Sequence, residues 1–75
     1  MKTIVSEVEQ VKVVDSFVVL KIEGNTETIV KPCFLMLQIF KNRISYIELE
    51  KPQQLKVLLF PTSKEAQQVY EVFNR

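Results

Sequence analysis

Apolar residues recur at every second position through most of this chain, and a period of two commits it to β-strands. In Phe17-Val18-Val19-Leu20-Lys21-Ile22-Glu23, Val18, Leu20 and Ile22 share one face, and Lys21 and Glu23 fall on the other. Gly24, the only glycine, follows at once. With Gly24-Asn25 as its central pair, a type II′ turn closes residues 17–23 and 26–31 into a hairpin.

Upstream, Thr3 to Val14 is rich in β-branched side chains, which suit strands better than helices. The segment reads equally as one long bent strand or two short ones. A change of parity between Val11 and Val14 predicts a bulge, and Asp15-Ser16 supplies turn chemistry. After Pro32, Cys33 to Phe40 is apolar on both parities apart from Gln38, which fits a strand covered on both faces or a short helix. The strand is favoured, because Lys41-Asn42-Arg43 looks like a hairpin loop and Ile44 to Glu50 resumes alternation. In that segment Ser45, Ile47 and Leu49 share a face opposite Tyr46, Glu48 and Glu50. Leu55 to Phe60 is a short apolar strand ending at Pro61.

The last element has the clearest signature. Thr62-Ser63-Lys64-Glu65 matches a capping box, and Ala66, Val69, Tyr70 and Phe73 recur at i, i+3, i+4 and i+7. The expected architecture is therefore α+β and mostly β: five or six antiparallel strands in a curved sheet or open barrel, capped by a helix over 63–74. The expected core is Val18, Leu20, Ile22, Leu35, Leu37, Ile47, Leu49, Val57, Leu59 and the helix stripe.

Seventy-five residues make one domain, 1–75, because a chain of this size buries only about 60% of its unfolded surface. A lone Cys33 excludes an intrachain disulfide, and no metal-ligand spacing is present, so an apolar interface with another chain is the remaining common stabiliser. Residues 1–7 lack the apolar stretch of a secretory signal, and no apolar run reaches the length of a membrane-spanning helix. Together with a single thiol, expected to be buried and reduced, this points to the cytoplasm.

The chemistry available is narrow. With no His, the usual base of nucleophilic catalysis is missing, and one Gly cannot build a phosphate-cradling loop. Cys33 beside Phe34, Leu35 and Met36 reads as a structural thiol, and the pairs Glu48/Glu50 and Glu7/Glu9 read as solvated strand faces. An enzyme is not expected, and neither a cofactor nor a metal is implied. The net charge of +1 gives no global attraction to nucleic acid or anionic lipid. Phe40, Lys41, Arg43 and Tyr46 form the one aromatic and cationic cluster suited to stacking on bases.

The run Ile44-Ser45-Tyr46-Ile47, through Leu55 to Phe60, into Ser63-Lys64-Glu65-Ala66-Gln67-Gln68-Val69-Tyr70, resembles the second half of a small pleckstrin-homology-like or GRAM-like domain. The likeness covers about the last 32 residues. It rests on pattern, since that family has no invariant short motif. The front half departs from it: the basic first hairpin used for phosphoinositides is not evident in Glu23-Gly24-Asn25-Thr26-Glu27, so lipid binding does not carry over. The resemblance implies a bent sheet closed by a helix, a scaffold widely used for protein binding.

The leading expectation is a non-enzymatic interaction or assembly module. It would use Phe34, Met36 and Phe40 of the doubly apolar segment to self-associate as a homo-oligomer or to bind and regulate a partner protein. The alternative is an anionic site, on a membrane surface or a nucleic acid, formed by Lys21, Lys31, Lys41 and Arg43.

Overall fold

A computed structural model of the chain describes residues 1–30 and 33–75. Six strands and one helix follow in order: β1 (Lys2–Val14), β2 (Phe17–Ile22), β3 (Asn25–Val30), β4 (Phe34–Phe40), β5 (Arg43–Glu48), β6 (Gln54–Leu59) and α1 (Ser63–Phe73). They form one sheet in the order β3-β2-β1-β6-β5-β4, with α1 packed on its inner, concave face. The sheet is curved but not closed into a barrel. The expectation of a purely antiparallel sheet needs one correction: β1 and β6 pair in parallel, Val5 opposite Val57. Joining the first and last strands at the middle of the sheet needs a long crossover, which β2 to β5 provide.

β1 is a single strand of 13 residues. Its first half pairs with β6 and its second half with β2, and the register shifts between Val8 and Gln10. The bulge thus sits at Glu9, earlier than the Val11–Val14 parity change predicted. An extra residue at that point bends the strand and keeps Val8 facing inward while the second half turns to meet β2. The Gly24 N–H donates to the Glu9 carboxylate at 3.0 Å, tying the bulge to the tip of the β2–β3 hairpin.

Three hairpins close through two-residue turns: Asp15-Ser16, Glu23-Gly24 and Lys41-Asn42. In the middle one, Glu23 and Gly24 both have positive φ (51° and 84°), as a type I′ turn requires. Gly24 therefore occupies the second central position, and the predicted type II′ pairing Gly24-Asn25 is displaced by one residue. Lys41 also has positive φ, and Arg43 opens β5 rather than closing the loop. The Lys41-Asn42 turn is held by Asn42, whose side-chain amide donates to the Phe60 carbonyl at 2.8 Å while the Phe60 N–H donates to the Asn42 carbonyl at 2.8 Å.

The core comprises Val8, Val18, Leu20, Ile29, Ile44, Tyr46, Leu58, Phe60 and, from the helix, Ala66, Val69, Val72 and Phe73. Ile22, Leu37 and Tyr70 pack partly buried against it, as the sequence suggested. Five expected core positions lie elsewhere. Leu35 and Leu49 are 55% and 54% exposed, and Ile47 and Val57 lie on the outer face with Leu59. A second bulge explains Leu35: the β4–β5 register shifts between Phe34 and Met36, so Phe34, Leu37 and Ile39 face inward and Met36, Gln38 and Phe40 outward.

The helix begins as its signature predicts. Thr62 caps it, its hydroxyl accepting from the Glu65 N–H at 3.3 Å and donating to the Glu65 carboxylate at 3.0 Å. The carboxylate thus returns to the Thr62 hydroxyl rather than to its backbone. Three aromatic rings hold the helix down: Phe34 lies 5.4 Å from Tyr46 and 5.2 Å from Phe73, and Tyr46 lies 6.1 Å from Phe73. Such pairs contribute about 0.5–1.5 kcal/mol each beyond their buried area.

A left-handed backbone at a glutamate is strained, whereas Asn tolerates it and Asn-Gly is the favoured type I′ pair. Glu23→Asn is expected to raise unfolding stability by roughly 0.5–1 kcal/mol, read as a higher urea midpoint at unchanged m-value; an unchanged or lower midpoint would refute the turn assignment.

Candidate functional site

The sheet presents two surfaces that the described residues leave free, and strand alternation decides which side chains each receives. The outer face spans β1, β6, β5 and β4. Cross-strand register places Gln38, Ser45, Val57 and Val5 in one row and Phe40, Arg43, Leu59 and Glu7 in the next. Met36 beside Ile47, and Leu55 beside Thr3, continue the surface. The helix packs on the opposite side. Val5 is 56% and Phe40 61% exposed.

Of the residues predicted for a protein interface, Met36 and Phe40 share this face. Phe34 does not. The bulge turns it inward, into the aromatic cluster with Tyr46 and Phe73, so it is a core residue. The residues that complete the surface, Val5, Ile47, Leu55, Val57 and Leu59, come from three other strands; only their cross-strand register could have found them.

The cationic positions divide. Lys41 Nζ and Arg43 Cζ lie 5.4 and 5.7 Å from the centroid of the Phe40 ring, so both flank an exposed aromatic at the β4–β5 tip. Lys21 is on β2, three strands from β5 in the sheet. Lys31 lies outside the described residues. Tyr46 leaves the predicted stacking cluster altogether, because it is buried on the inner face.

The remaining candidates are engaged or separated. Glu48 faces inward and pairs with Lys56 at 3.8 Å, while Glu50 lies exposed in the following turn. Glu9 accepts from Gly24 and is the bulge residue, which separates its role from that of Glu7 on the outer face. Cys33 is exposed, contrary to the expectation of a buried thiol, and its carbonyl accepts from the Leu49 N–H at 2.8 Å. Among the described residues no three His, Cys, Asp or Glu side chains are grouped to hold a metal ion, and no helix is long and apolar enough to cross a membrane.

The second free surface is the uncovered end of the inner face, where Glu27, Tyr46, Gln54 and Lys56 project among apolar walls. The Lys56 ammonium lies 6.0 Å from the Tyr46 ring centroid. Burial first, then the carboxylates of Glu48 and Glu27, raise the Tyr46 phenol well above the ordinary tyrosine range. No family model, curated protein or solved structure matches this chain.

A raised phenol makes the folded state prefer neutral Tyr46, so its contribution to stability is fully present below the unfolded tyrosine value of about 10 and is lost as pH rises from there towards the folded value. Urea unfolding between neutral pH and pH above 10 is expected to show this decline, and Tyr46→Phe is expected to flatten it. An equally steep decline in the variant would assign the loss to other groups.

Proposed function

We propose that this chain is a non-enzymatic assembly module that associates with a second copy of itself through the outer face of β1, β6, β5 and β4. The observation that carries the reading is the apolar outer surface, with Val5, Met36, Ile47, Leu55, Val57 and Leu59 on the side of the sheet away from the helix. An exposed apolar face rimmed by polar residues is a common form of interaction site.

Charge placement favours a second copy as the occupant. Glu7 lies on β1 and the Lys41–Phe40–Arg43 group at the β4–β5 tip, towards opposite sides of the surface. A two-fold axis running along the strands sets β1 of one copy over β4 of the other, so that each Glu7 meets the cationic group of its partner. Two such faces stack at about 10 Å with their strands roughly aligned. The footprint, four strands about 4.8 Å apart by some six residues, covers only about 400 Å², against about 800 Å² of accessible surface per partner in a standard interface. The dimer is accordingly concentration-dependent. The resemblance of residues 44–70 to pleckstrin-homology-like and GRAM-like domains supports the same general reading, since that scaffold commonly binds proteins.

Light scattering over a concentration series is expected to show the mass rising from 8.8 kDa towards twice that value. Val5→Lys and Met36→Lys should each hold the protein monomeric while leaving it folded by circular dichroism. A wild-type protein that stays monomeric at millimolar concentration would overturn self-association. Salt-sensitive binding to anionic vesicles or single-stranded DNA, abolished by reversing Lys41 and Arg43, would replace this reading with the anionic-ligand alternative.

A further inference from the structure

At the mouth of the rolled sheet, Ile4, Ile22, Ile29 and Leu58 wall a cavity of about 210 Å³ to which five strands contribute and no helix residue does. Its polar lining is Ser6 from β1, Glu27 from β3, Tyr46 from β5, and Gln54 and Lys56 from β6. An apolar pocket carrying a handful of oriented polar groups is the general form of a small-ligand site, and the mouths of β-rolls are a preferred place for one.

Tyr46 supplies the observation that points to a ligand. Only 1% of it is exposed, it lines the cavity, and among the described residues its hydroxyl has no hydrogen-bond partner. A hydroxyl on so buried a residue ordinarily finds one, and this oxygen keeps access to the cavity, since no fully buried side-chain polar atom among the described residues is left unpartnered. Lys56 is tied to Glu48 at 3.8 Å, and no other ion pair forms among the described residues, so none of their cations pairs with the Glu27 carboxylate at the rim. Glu27, Glu48 and Lys56 carry charges of −1, −1 and +1, so the mouth has a net charge of −1. A carboxylate or phosphate ligand meets repulsion there.

We propose that this cavity binds a primary ammonium on a short unbranched apolar chain, carried by a free alkylamine or by a lysine side chain of a peptide. The ammonium has three N–H donors and no acceptor, matching the Glu27 carboxylate and the Tyr46 hydroxyl oxygen. The alkyl chain lies against Ile4, Ile22, Ile29 and Leu58. The volume equals that of about seven liquid waters and falls below the range for drug-sized ligands, which limits the occupant to a chain of a few carbons. The cavity opens on the face opposite the dimer surface, so the two proposals stand or fall separately.

The test is a titration of the isotope-labelled protein followed by amide chemical shifts at neutral pH, with n-butylamine, n-butanol, butyrate and an acetylated, amidated Gly-Lys-Gly peptide as probes. Butylamine is expected to shift the amides of Ile4, Ser6, Glu27 and Gln54 saturably, with butanol weaker and butyrate inert. Glu27→Gln, a change at an exposed rim position, should weaken butylamine about tenfold or more without altering butanol, since it removes a charge-assisted bond. Peptide binding comparable to butylamine would make a protein lysine the source, and binding of butylamine alone would make it a free amine. Equal binding of butyrate and butylamine, shifts that map outside the mouth, or an undiminished Glu27→Gln variant would overturn the proposal.

Discussion

The architecture depends on one strand being shared. β1 donates its first half to a parallel ladder with β6 and its second half to an antiparallel ladder with β2, and no other strand joins the two halves of the sheet. The bulge at Glu9 makes this possible, since a regular strand of 13 residues could not pair along its length with both neighbours while wrapping a helix. Its position is held chemically by the Gly24 N–H bonded to the Glu9 carboxylate. That bond links the bend in β1 to a turn whose two central residues both need positive φ. Curvature, turn chemistry and sheet continuity are therefore one coupled feature.

The curvature creates an interior that a helix of 11 residues fills only in part. Ala66, Val69, Val72 and Phe73 pack in one core with Val18, Leu20 and Ile44, and the Phe34–Tyr46–Phe73 cluster marks the inner edge of the covered region. Beyond Tyr46 the strands continue without a lid. A helix this short is marginal alone, so its docking is what makes it stable, and the aromatic cluster is the most specific part of that docking.

The elements visible in the sequence were those whose signal is local. The period of two in Val18, Leu20 and Ile22, the Thr62–Glu65 cap and the 66–69–73 stripe each act within a few residues, and each appears in the structure. Facing was legible only where one parity is clearly polar. In β5 both parities carry apolar residues, and burial chose Ile44 and Tyr46 over Ile47, because Tyr46 is opposite Leu37 and Lys56. Leu35 and Phe34 were misplaced because one bulge reverses the alternation, and a bulge without glycine leaves no local mark. The parallel pairing of β1 with β6, which brings Val5 to Val57 and Ile4 to Lys56, is a contact between chain ends that no local pattern encodes.

That reversal matters most at the open end of the roll, where the usual arrangement is turned inside out. Ser6, Glu27, Glu48, Gln54 and Lys56 project to the inner side, while Val5, Ile47, Leu55 and Val57 project outward from the same strands. A strand in an isolated monomer gains by burying its apolar parity and solvating its polar one, and a register shift of a single residue in β6 would exchange Gln54 and Lys56 for Leu55 and Val57 on the inner side. Pairing fixes the opposite register through Tyr46, Leu58 and the ion pair of Lys56 with Glu48. Such an arrangement is stable when the outer face is dry in the working state and the inner mouth holds water or a polar ligand. A single inversion of pattern therefore accounts for both surfaces, the apolar one proposed to join two copies and the cavity set behind it.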